Sequence, residues 1–103
     1  MATSKEYRDF ILERLSFLDD ILLRPMMGEY LLYYKDLLIG GLYDDRVLIK
    51  ISPNNHHLKK EVPYEGAKKM YLLDEWEDID VLRQIIEDTY FDLFQKRGED
   101  VRE

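Results

Sequence analysis

The chain has 103 residues, 22 acidic against 15 basic side chains, a net charge of −7 and 46% hydrophobic residues. That length suits one domain with a real core, and the apolar content argues against a disordered body. The absence of cysteine excludes disulfides, thiol nucleophiles and thiolate metal sites.

Ser4 opens the first predicted element as the cap of a helix whose apolar positions Tyr7, Phe10, Ile11, Leu15 and Leu18 recur at helical spacing. That helix is expected to end near Asp19-Asp20, and Pro25 stops it running further. Ile21 to Arg24 fits a short strand, since a residue before proline prefers extended geometry. Three strands then follow at about 29–34, 37–43 and 46–51, split by polar turns at Lys35-Asp36 and Asp44-Asp45. Pro53-Asn54-Asn55 ends the last of them, and His56 to Glu61 fits a short helix. Pro63 and Gly66 signal a turn into another strand at Met70 to Leu73. Asp78 caps a final helix carrying Val81, Leu82, Ile85, Ile86, Thr89, Tyr90, Leu93 and Phe94, with Gly98 as its end signal. The expected organisation is one domain over residues 1–97 and a charged tail over 98–103. The expected fold class is α+β, a two-layer α/β sandwich with an antiparallel sheet in the order α-β-β-β-β-α-β-α.

If both polar turns are two-residue hairpins, the strand register assigns faces. One face collects Leu31, Tyr33, Leu38, Gly40, Leu42, Val47, Ile49 and Ile51, and is expected to pack on the helices. The other collects Tyr30, Leu32, Tyr34, Leu37, Ile39, Tyr43, Arg46, Leu48 and Lys50, which is too apolar for an ordinary solvated surface. Tyr30, Tyr34, Tyr43, Arg46 and Lys50 are therefore the candidate partner-binding residues, because interfaces favour aromatics and arginine. The alternative is that the final helix and the strand at 70–73 cover that face.

Charge limits the partners. Basic pairs such as Lys59-Lys60 and Lys68-Lys69 are short, and five of the seven residues from Asp74 to Asp80 are acidic. Direct nucleic-acid binding is not expected without a clustered basic footprint. The segment MATSKEYRDF lacks the layout of a secretion signal, and no apolar run reaches membrane-spanning length. A cytoplasmic protein with no membrane partner is the expectation.

Catalytic patterns are weak, and no catalytic residue, metal ligand or cofactor is assigned. Adjacent His56 and His57 cannot share one helical face as a metal pair would. The doublets Asp19-Asp20 and Asp44-Asp45 fall where Asp serves local backbone geometry. Gly40-Gly41 lies inside a strand pattern and marks a bulge or a close backbone contact rather than a phosphate loop. Arg24, between a strand and a proline, offers a bidentate clamp for an anion. The commoner use is an ion pair with Glu29 or stacking on a tyrosine.

Motifs in one order along most of the chain carry a family resemblance. They are SKEYRDFILERL (Ser4 to Leu15), RPMMGEYLLYY from Arg24, LYDDRVLIK ending at Lys50, and PYEGAKKMYLL (Pro63 to Leu73) before the final helix. On these the chain resembles the N-terminal domain of the TfoX/Sxy family of competence regulators, as a single-domain member. The resemblance implies a secretion-chaperone-like α/β fold and a non-catalytic interaction module. Such a module regulates competence or transcription through a protein partner, such as a transcription factor, or through a homodimer. Small-molecule or peptide binding is the alternative that the chaperone-like fold implies. The family-motif positions are Arg24, Gly28, Tyr33, Pro63, Tyr64, Gly66 and Lys68, with Lys50 also in a motif. Asp36 stands at a turn position where relatives often carry glycine, and Asp tolerates left-handed geometry better than most residues.

Overall fold

Three tight turns set the architecture. Met27-Gly28, Lys35-Asp36 and Asp44-Asp45 each place both residues at positive φ, between 50° and 87°. Two consecutive left-handed residues give the type I′ turn, whose twist matches the strands it joins. In the computed structural model, which describes residues 2–102 and side chains as far as Lys96, these turns link β1 (Ile21–Met26), β2 (Glu29–Tyr34), β3 (Leu37–Leu42) and β4 (Val47–Ile49). A helix α1 (Lys5–Arg14) precedes them. After them come β5 (Lys60–Glu61), β6 (Met70–Leu73) and α2 (Ile79–Arg102). All neighbouring strands pair antiparallel, in the order β1-β2-β3-β4-β6-β5. The fold is α+β, with both helices packed on one face of a six-stranded sheet.

The caps form as the sequence indicates. Ser4 Oγ accepts from the Tyr7 amide at 3.1 Å, and Asp78 Oδ1 accepts from the amides of Asp80 and Val81 at 3.0 and 3.2 Å. Three expectations need correction. The first helix ends at Arg14, not near Asp19-Asp20, because the chain turns there: the Ser16 hydroxyl donates to the Glu13 carbonyl and Asp20 is left-handed. Leu15 and Leu18 still reach the core from that turn. The short helix expected at 56–61 is replaced by a 3-10 turn at Pro53–Asn55 and the strand β5. Proline starts that turn well, and the Asn55 amide ties it down by donating to Ser52 Oγ, the Ile85 carbonyl and Thr89 Oγ1. Finally, α2 continues through Gly98 to Arg102.

The largest correction concerns the sheet faces. Both expected hairpin pairings form: Tyr34 opposes Leu37, and Tyr43 and Arg46 exchange backbone hydrogen bonds. Between them the register slips, so that Tyr33 opposes Leu38 while Leu32 opposes Gly40. Ile39 is the extra residue of a β-bulge, and one extra residue exchanges the faces beyond it. Tyr30, Leu32 and Tyr34 consequently share the helix-covered face with Leu42, Val47, Ile49, Tyr71 and Leu73. Glycine at position 40 permits the bulge. A Cβ there would collide with the Leu48 carbonyl oxygen and lie 2.8 Å from Ile49 Cα.

Tyr30 and Tyr34 are thus core residues, only 9% and 3% exposed, and unavailable to a partner. The Tyr34 ring meets Tyr90 of α2 edge-on at 5.5 Å, with the Lys35 ammonium 5.1 Å from its centre. Burial first, and then the Glu87 carboxylate, push its phenol above the ordinary value. Ile51, expected in the core, is 44% exposed.

Candidate functional site

The face turned away from the helices carries two rows of side chains across the strands. Leu22, Tyr33 and Leu38 oppose one another across β1, β2 and β3. Arg24, Leu31, Gly41, Leu48 and Leu72 form the next row, from β1 through β6. The described core residues of both helices pack on the opposite face. Leu22 stays 52% exposed, whereas Leu48 is completely buried. The outer face is therefore open over β1 and closed over β4.

A loop closes that end. Arg46 donates through Nη1 to Glu61 Oε1 at 2.8 Å and to the Val62 carbonyl at 3.1 Å, and through Nη2 to the Pro63 carbonyl at 3.2 Å. Its Nε donates to the Tyr43 carbonyl at 3.2 Å. The rigid guanidinium fork thereby pins residues 61–63 beside the Tyr43–Arg46 turn. The Arg46 hydrogen bond holds the Glu61 carboxyl below its ordinary pKa. The loop then turns at Tyr64–Ala67, where the Ala67 amide donates to the Tyr64 carbonyl and Gly66 adopts φ +86°. A positive φ at that place in the turn suits glycine.

Between the loop and the sheet lies a groove of about 610 Å³. Lys50, Lys68 and Lys69 line it together with Tyr43 and Tyr64, and among the described residues no carboxylate does. The two tyrosine rings are tilted by 57° with centres 6.4 Å apart. Tyr43 lies over Gly41, where a Cβ would come within 2.8 Å of its ring. Burial raises the Tyr43 phenol pKa, and Tyr64 and Glu29 add to the shift, so its hydroxyl stays protonated and able to donate at neutral pH. Among the described residues none of the three groove lysines joins an ion pair.

The structure thus brings together Tyr43, Arg46, Lys50, Pro63, Tyr64, Gly66 and Lys68, of which Arg46 serves as a strut and Pro63 is buried. It separates them from Tyr30 and Tyr34. Arg24 and Tyr33 lie on the open part of the outer face, and Gly28 sits in the first hairpin turn with its carbonyl accepting from the Thr3 amide at 3.1 Å. Arg24 is exposed, with no ion pair or aromatic stacking among the described residues. The expected Glu29 partner is occupied elsewhere. Its carboxylate accepts from the Thr3 amide and hydroxyl and from the Asp44 amide. Sequence reasoning missed Lys69, although the basic pair it forms with Lys68 was visible. Asp44 and Asp45 serve the turn, with Asp45 Oδ1 accepting from the Ser4 amide at 2.9 Å. His56 and His57 are both exposed.

No helix among the described residues is long and apolar enough to cross a membrane. No family model and no solved structure matches the chain. Similarity does extend to an uncharacterized 12.7 kDa protein in the trpE 5′ region of Spirochaeta aurantia, which is 30% identical over 79 residues, covering 73% of this chain and 69% of that protein. The chain belongs to the same family as that uncharacterized Spirochaeta aurantia protein.

Proposed function

We propose that the chain is a non-catalytic interaction module that engages a protein partner through the open part of its outer sheet face. One observation carries this reading. An antiparallel sheet with one solvated face ordinarily turns polar residues outward, yet β1 to β3 turn out Leu22, Leu31, Tyr33 and Leu38, with Arg24 alongside. Apolar and aromatic side chains beside an arginine are the composition of an interface centre. The resemblance to TfoX/Sxy N-terminal domains supports a regulatory role in competence or transcription, exerted in the cytoplasm through a transcription factor or a second copy of the chain. The net charge of −7 supports a protein rather than DNA as the partner.

The test compares the wild type with a Leu22→Ser/Tyr33→Ser/Leu38→Ser variant in pull-downs from host lysate and in sedimentation. The reading expects a partner, or dimerisation, that the wild type shows and the variant loses while its far-UV circular dichroism is unchanged. Equal association by both proteins contradicts it.

A further inference from the structure

The groove beneath the 61–69 loop is a second feature, separate from the open interaction face, and its chemistry runs against that of the rest of the chain. Acidic side chains outnumber basic ones by 22 to 15 overall. The groove walls nevertheless present Lys50, Lys68 and Lys69 and, among the described residues, no carboxylate; Glu65 lies in the same loop but does not line the cavity. All three lysines line one groove, and among the described residues none of them forms an ion pair with an acid. An anion placed there gains the charge pairing that these lysines lack within the described residues. Lysine suits phosphate as a point-charge donor.

The remaining walls are aromatic and apolar. Tyr64 is 65% exposed, with its ring beside that of Tyr43. An exposed ring at the rim of a cavity is a stacking platform for a planar group. The Tyr43 hydroxyl is a donor at neutral pH, and Ile51 and Met70 complete the apolar surface. A volume of about 610 Å³ lies within the range of small-ligand pockets. A single groove on an otherwise acidic molecule does not suit a long polyanion.

We propose that this groove binds a small phosphorylated ligand with a planar ring, the chemistry of a nucleoside phosphate. Lys50, Lys68 and Lys69 take the phosphate, and Tyr64 and Tyr43 take the ring. This goes beyond the interaction face and stands or falls separately from it.

The test is calorimetric titration of the full chain with adenosine 5′-monophosphate, adenosine, inorganic phosphate and an acidic glutamate-rich peptide. The nucleotide is expected to bind at least about 10-fold more tightly than the other three, since stacking and charge each contribute about that factor. Lys68→Gln/Lys69→Gln, at two exposed positions, should weaken the nucleotide about 10-fold and reduce its salt dependence. Tyr64→Ala should weaken the nucleotide but leave inorganic phosphate unchanged. Melting temperatures of both variants should match the wild type, because these side chains are exposed; Lys50→Gln gives a second reading if one does not. No heat with the nucleotide, equal affinity for inorganic phosphate, tighter binding of the acidic peptide, or insensitivity to Tyr64→Ala overturns the proposal.

Discussion

The bulge at Ile39 predicts opposite fates for two adjacent tyrosines. Tyr34 is 3% exposed, packs edge-on against Tyr90 and lies under the helices. Tyr33 points to the open face and is only half-buried. A buried tyrosine removes about 150–250 Å² from water, worth about 4–6 kcal/mol at 25 cal/mol per Å² as an upper bound. Replacing Tyr34 by Ala should therefore cost about 3–5 kcal/mol once partial relaxation is allowed. Folding stability of a domain this size is about 5–15 kcal/mol, so the variant should be marginal and melt about 15 °C or more below the wild type. Tyr34→Phe keeps the ring and should cost about 1 kcal/mol. Tyr33→Ala should likewise cost about 1 kcal/mol or less. Urea titration with thermal melts of the three variants measures the contrast. Equal costs for Tyr33→Ala and Tyr34→Ala, or a larger cost at Tyr33, would refute the bulge as the device that assigns the faces.

Other outcomes follow from local geometry. Gly40→Ala should destabilise by about 3 kcal/mol, because the new Cβ meets backbone of β4 that cannot move aside. Gly66→Ala meets no atom within 4 Å and should cost about 1 kcal/mol from its left-handed φ alone; paired melts separate the two. Thr89→Val removes the hydroxyl that accepts from the buried Asn55 amide at 2.6 Å and should cost about 1–2 kcal/mol in urea. The Glu61 carboxyl titrates below its ordinary value when folded. Its ion pair with Arg46 therefore adds stability above about pH 4.3 that is lost as pH falls through the lower folded value. The stability difference between wild type and Glu61→Gln should accordingly disappear in strong acid, and a constant difference across pH would contradict the assignment.

The strands were legible because their turns are local. Lys35-Asp36 and Asp44-Asp45 announce two-residue hairpins, and Ser4 and Asp78 announce their helices through side chains that bond within three residues. The faces were not legible, because a bulge is decided by a neighbouring strand. Gly40 is identified as a close-contact position by composition alone, but the contact is Leu48 and Ile49 of β4. One unrecognised extra residue moved Tyr30 and Tyr34 from the surface to the core. The replacement of a helix at 56–61 by β5 has the same origin, since β5 exists through its pairing with Tyr71 and Met70. Of the candidate site, Tyr43, Lys50, Tyr64 and Lys68 were visible as separate motif residues. Their convergence depends on Arg46 holding the loop, a contact spanning 15 to 17 residues of sequence.

The most direct test of the working face is photo-crosslinking in the native host. A photoreactive amino acid is placed at position 33 on the open sheet face, or at position 91 on the exposed side of α2. An interface on the outer sheet face yields a discrete crosslinked partner, or a crosslinked dimer, from position 33 and none from position 91. Crosslinking from position 91 alone would place the interface on the helices and contradict that reading.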